Sequence, residues 1–189
     1  MQAGLQSIQK ILTENSSPDA KASHQKFIPG QEKIYGVSMP FLNELASRYK
    51  AGGFELAEEL WKAGALEEKV LAAKILGKIA RKDPVRSIEL VRDFSTAIGS
   101  WAVCDAIGMQ ALKPLVTTHR SEIFALAEKL SLSKDPWQRR LSLVIVEWYT
   151  RDIKMHAAIK KLVKSLENDP EYYVKKAVTW IRRNLEKGK

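Results

Sequence analysis

Residues 137–141 read WQRRL and residues 173–177 read YVKKA. Each is an aromatic, a polar or apolar spacer, two cations and an aliphatic, and they lie 36 positions apart. Stepping back from Arg140 by the same interval reaches Cys104 in SWAVCDAIG (100–108), and another 35 reaches Lys69 in LEEKVLAAKILGKIAR (66–81). A unit recurring at this interval is long enough for two helices and two turns. Around these anchors the apolar residues recur at helical spacing, and no alternating stretch is long enough for a strand. The pattern predicts helices over 2–14, 18–27, 39–50, 54–63, 66–81, 84–97, 100–112, 120–132, 135–150, 154–167 and 170–186.

Punctuation supports those limits. Ser38 followed by Pro40, and the pairs Asp83-Pro84, Asp135-Pro136 and Asp169-Pro170, place a capping side chain beside a proline that only a first turn accepts. Gly52-Gly53 and Gly64 mark helix ends. The stretch FIPGQEKIYGV (27–37) is read as an ordered loop. Helix pairs at this period stack as HEAT- or armadillo-like repeats. The expected fold is therefore all-α: a right-handed α-solenoid of HEAT-like helix pairs, one domain over 1–189, with second helices lining a concave basic groove.

Composition narrows the function. The chain has 189 residues, 45% of them hydrophobic, and a formal charge of +9. From Lys134 onward there are 14 Lys and Arg against 7 Asp and Glu; before it the balance is 17 against 15. A local excess of cations attracts polyanions. Cys104 is the single cysteine, so an internal disulfide and a cysteine metal cluster are excluded. The three histidines have no metal-ligand spacing, and no Gly-rich phosphate loop is present. No cofactor is expected. No apolar run approaches the ~20 residues that span a bilayer, and the N-terminus lacks the pattern of a signal peptide. The expectation is a cytoplasmic monomer with no membrane partner.

Within that frame four side chains stand out. Trp101 and Asp105, four apart on one helix, share a face. Arg140 follows 35 residues after Asp105, and Trp180 follows 40 after Arg140. Each gap is close to one repeat, so all four side chains are expected to converge. Trp61 and Trp148, in apolar surroundings, are assigned to packing, whereas Trp101, Trp137 and Trp180 have Asp105, Arg140 and Arg183 three or four residues on. Asp105 sits among apolar neighbours, where a carboxylate needs a partner. Gly108, one turn on, leaves either space for a ligand or close helix packing. Of the cation pairs, Arg140, Lys176 and Arg183 hold second-helix positions suited to a phosphate backbone; Lys160-Lys161 belongs to a first helix and an ordinary solvated face.

The pieces YGVSMPFLNELA, EEKVLAAKILGKIAR, SWAVCDAIG, PWQRRLSLV and EYYVKKAVTWIRR resemble, in order and spacing, the AlkD-like DNA alkylation repair glycosylases. That resemblance implies excision of cationic N-alkylated purines, such as 3-methyladenine and 7-methylguanine, from double-stranded DNA. It implies Asp105 as the catalytic carboxylate, with Trp101 and Trp180 as aromatic walls about the damaged nucleotide's sugar. Arg140 would hold the backbone beside the lesion, and Trp137, Lys176, Arg183, Lys26 and Tyr35 would contribute further DNA contacts. The resemblance implies a site that contacts sugar and backbone and has no base pocket. Two departures appear: Asn43 stands where an arginine is usual, and the chain stops nine residues after Trp180. A non-catalytic HEAT-like module that binds nucleic acid or protein is the alternative, needing the basic face but not Asp105.

Overall fold

A computed structural model of the chain describes residues 4–28 and 33–188, and every regular element in them is helical. Residues 2 and 3 of the first expected helix, and 29–32 of the irregular stretch, lie outside the described residues. The helices are α1 (Leu5–Glu14), α2 (Pro18–Phe27), α3 (Met39–Tyr49), α4 (Gly53–Ala63), α5 (Leu66–Ile79), α6 (Pro84–Phe94), α7 (Trp101–Ala106), α8 (Arg120–Ser131), α9 (Pro136–Val146), α10 (His156–Ser165) and α11 (Tyr172–Lys187). Short 3₁₀ turns extend several of them, which accounts for most of the difference from the expected limits.

Helix starts follow the sequence signals. Ser38 Oγ accepts from Phe41 N, Asp83 from Arg86 N and Asp135 from Trp137 N, so each cap satisfies an amide that the first turn leaves free. The third Asp-Pro signal likewise takes up an amide, Glu171 N donating to Asp169 Oδ1 at 2.9 Å, but its helix starts later. Asp169 is buried and chelated by Arg139 through Nε at 2.6 Å and Nη2 at 3.2 Å, and α11 starts two residues beyond Pro170. Gly64 ends α4 at φ +91°, a left-handed conformation that glycine adopts without steric cost.

Two layers result. In the inner layer α3 packs on α5, α5 on α7, α7 on α9 and α9 on α11; in the outer layer α4, α6, α8 and α10 cover them. This is the arrangement of an α-solenoid. Apolar side chains between the layers form one contiguous core, in which Trp61 stacks on Phe94 with ring centroids 4.4 Å apart. Where neighbouring inner helices come closest, glycine is required. A Cβ on Gly77 would fall 2.3 Å from the Gln110 carbonyl oxygen, and one on Gly108 would fall 2.4 Å from Val144 Cγ1. Gly108 therefore serves helix packing and opens no space for a ligand.

The expected helix over 100–112 is not uniform. It is α-helical to Ala106 and then widens into a π-helical turn over Ile107–Ala111. Such turns are short and frequent beside functional groups; this one begins two residues after Asp105.

Candidate active site

Asp105 and Trp101 leave α7 on one face, as their spacing requires. Opposite them, α9 contributes Arg140 and α11 contributes Trp180. The four side chains line one open cavity of about 580 Å³, together with Lys26, Phe27, Tyr172, Tyr173 and Lys176. Phe27 and Tyr172 are the exposed aromatics at its rim, 63% and 60% accessible.

Asp105 is held by an ion pair. Arg140 Nη2 donates to Asp105 Oδ1 at 2.8 Å, and Nη1 donates to the Tyr173 carbonyl at 2.7 Å. The Arg140 side chain is 7% exposed and that of Asp105 is 30% exposed. Arg140 Nε is buried without a hydrogen-bond partner among the described residues. Among the described residues the second oxygen, Asp105 Oδ2, carries no protein hydrogen bond. Burial raises the Asp105 pKa above the ordinary carboxylate value, and the Arg140 charge opposes that rise. The cavity therefore presents a partly dry carboxylate, one oxygen fixed and the other free, between aromatic surfaces.

The aromatic wall is fixed as well. Trp101 Nε1 donates to the Phe27 carbonyl at 2.9 Å, so the last turn of α2 sets the indole's orientation. The segment leading from α2 to α3 is anchored in turn on α5. The buried Glu67 carboxylate accepts from the amides of Tyr35, Gly36 and Val37 at 3.0, 2.7 and 3.2 Å. Glu68 accepts from the Tyr35 hydroxyl, Gln9 Nε2 and Ala65 N.

The other expected contact residues are distributed unevenly. Lys26 and Lys176 reach the cavity, with Lys176 Nζ over the Tyr172 ring at 4.9 Å. Trp137 does not line it; the ring stacks on Tyr173 at 5.2 Å, one layer behind. Arg183 is exposed on α11 outside the cavity. Tyr35 lies in a separate cleft between α1, α2 and α5, its hydroxyl bound to Glu68 and its pKa pushed up to about 12 by burial and that carboxylate. Arg139 points away from Arg140, to Asp169 and the carbonyls of Ser133 and Lys134.

Sequence reasoning missed Phe27, Tyr172 and Tyr173. A signal existed for the last: Tyr173 occupies in its repeat the place of Trp137, and the two rings stack. Cys104 is fully buried, where desolvation pushes its thiol pKa far up, consistent with a packing role.

Among the described residues no three His, Cys, Asp or Glu side chains gather as a metal-ion site, and no helix is long and apolar enough to cross a membrane. The comparison with individually curated proteins gives no match. The model of a family described as "DNA alkylation repair enzyme" matches residues 8–188.

Proposed function

The chain belongs to the DNA alkylation repair enzyme family, and on that premise we propose that it is a monofunctional DNA glycosylase that releases cationic N-alkylated purines from duplex DNA. The observation that carries this reading is Asp105: a carboxylate with one oxygen tied to Arg140, the other free, in a cavity walled by Trp101 and Trp180.

The chemistry follows from the charge of the substrate. A 7-methylguanine or 3-methyladenine base already bears a positive charge, so it leaves without a general acid. As the glycosidic bond breaks, its electron pair neutralises the base and positive charge develops on the deoxyribose. A fixed carboxylate in a partly dry site stabilises that charge more than it stabilises the ground state. Water then adds at the anomeric carbon and its proton passes to Asp105 or solvent. The products are the neutral base and an abasic site, with the strand intact. Indole faces at the sugar contribute a further ~0.5–2 kcal/mol each toward a cationic group.

Arg140 has two tasks in this mechanism. It keeps Asp105 ionised in a setting that burial makes unfavourable, and it aims Oδ1 away so that Oδ2 remains available. A direct grip on phosphate is left to exposed cations, chiefly Lys26, Lys176 and Arg183. The cavity is open, which suits contact with sugar and backbone and tolerance of bulky adducts.

Incubating purified protein with a duplex containing 7-methylguanine tests the reading. Base release well above the spontaneous rate, without strand cleavage before heating or alkali, is expected. Tight duplex binding with release at the spontaneous rate would identify a non-catalytic module in which the Asp105–Arg140 pair only braces two helices.

A further inference from the structure

Helix α5 turns a purely cationic face to solvent. Its two acids, Glu67 and Glu68, are buried in the first turn and taken up by the 35–37 backbone, Tyr35 and Gln9. The residues of α5 left half-buried or exposed are Lys69, Lys74, Gly77 and Lys78. Lys69 turns away, donating to the Ala97 carbonyl and lying over the Trp61 ring. Lys74 and Lys78, one turn apart, share a face.

Lys74 Nζ is fixed by a neutral group: it donates to Asn43 Oδ1 on α3 at 2.6 Å. Neither lysine makes an ion pair among the described residues, although Glu44 is the next residue on α3. Burial and the neighbouring Lys78 both disfavour the Lys74 charge and lower its pKa. An ammonium carries three donors, and Asn43 uses one. The arrangement is an oriented, partly desolvated cation beside a second cation, with no carboxylate among the described residues within ion-pair distance of either. Arg86, Arg139, Arg140 and Arg182, by contrast, are each matched to a carboxylate.

We propose that Asn43, Lys74 and Lys78 form a phosphate-binding subsite for the duplex backbone, upstream of the Asp105 cavity in the inner layer; this rests on the reading of the chain as a DNA-acting enzyme. Helix α5 adjoins α7, which carries Asp105. Packed helices lie about 8–10 Å apart, so at ~3.4 Å rise per nucleotide the subsite meets the backbone about two or three nucleotides from the lesion. Asn43 acts as a positioning residue: it orients the Lys74 ammonium and leaves its charge uncompensated.

The decisive variant is Asn43→Asp. It preserves shape and hydrogen bond but gives Lys74 a carboxylate partner, so the fold is kept or strengthened while the subsite is neutralised. Binding of the full chain to an unmodified duplex is measured across a KCl series, with thermal melting alongside. Asn43→Asp is expected to melt at or above the wild-type temperature, yet to flatten log K against log[KCl] by about one unit. Lys74→Gln with Lys78→Gln should flatten it by about two, and Lys160→Gln with Lys161→Gln, on outer helix α10, should leave it unchanged. Slopes equal to wild type in both the Asn43→Asp and the double-lysine variants would overturn the subsite. Absence of salt-dependent duplex binding by the wild-type chain would instead overturn the DNA reading, and the subsite with it.

Discussion

Replacing Arg140 with Met removes a charge and two hydrogen bonds from a side chain that is 7% exposed. The methionine keeps much of the aliphatic volume, so the loss is mainly electrostatic. Three terms contribute. The charge-assisted bond to Asp105 disappears, the Tyr173 carbonyl loses its donor, and Asp105 stays partly buried without a counter-charge. Breaking a fully buried pair from one side costs about 3–5 kcal/mol. Asp105 retains 30% exposure, so solvent screens part of that cost. The expected loss is about 2–3 kcal/mol, or a fall in melting temperature of about 5–10 °C for a chain of this length.

The loss depends on pH with a definite sign. Burial already raises the Asp105 pKa in the folded state, and removing Arg140 raises it further. A carboxyl with a raised folded pKa contributes stability that is fully present below its unfolded pKa and is lost as pH rises through its folded pKa. Protonated Asp105 needs no counter-charge, so Arg140→Met is expected to be destabilised least near pH 4 and increasingly toward pH 8. Thermal melts of both proteins across that range measure the difference. On the proposed mechanism base release needs ionised Asp105, so the acid limb of its pH profile is expected to move to higher pH in the variant. An equal melting deficit at pH 4 and pH 8, or none at either, would refute the coupling between Arg140 and Asp105.

Three further substitutions probe the scaffold around the site. Trp101→Phe keeps an aromatic wall but loses the bond to the Phe27 carbonyl; single-turnover base release should fall several-fold with melting nearly unchanged, whereas full activity would show that the indole's orientation is immaterial. Gly108→Ala drives a methyl against Val144, and melting should reveal a loss of about 1–3 kcal/mol; unchanged stability with altered activity would return Gly108 to the cavity. Arg139→Ala removes the bidentate pair with Asp169 and should lower the melting temperature while leaving the salt slope of DNA binding intact; a flatter slope would place Arg139 on the DNA.

Helix existence was legible because Asp-Pro and Ser-x-Pro signals and helical spacing act locally, and those forces dominate over a few residues. The convergence of Trp101, Asp105, Arg140 and Trp180 was legible because side chains one repeat apart on stacked helices must meet. Rotational detail was harder. Trp137 and Arg140 share a helix face by spacing, yet Trp137 turns to stack on Tyr173 while Arg140 enters the cavity. The choice depends on the neighbouring helix. The resemblance implies a DNA contact for Tyr35; in the fold a carboxylate 33 residues away binds its hydroxyl, and nothing in the local sequence marks Glu68 as buried. Phe27 and Tyr172 were passed over because an aromatic at a helix end is usually core, and only the assembled layers leave these two exposed. The π-helical turn after Asp105 has no composition cue of its own; close contact of Gly108 with Val144 accompanies it.

The most direct test of the account is single-turnover release of 7-methylguanine from duplex DNA by the wild-type chain and by Asp105→Asn, at protein concentrations that saturate binding of each. The asparagine retains an acceptor for Arg140, while the negative charge is lost and the free oxygen is replaced by an amide donor. The account predicts equal DNA affinity and a base-release rate lower by about 100-fold or more, the scale of losing one preorganised electrostatic group at a reacting centre. Equal release rates from the two proteins at saturation would contradict it, because catalysis would then owe nothing to the Asp105 charge.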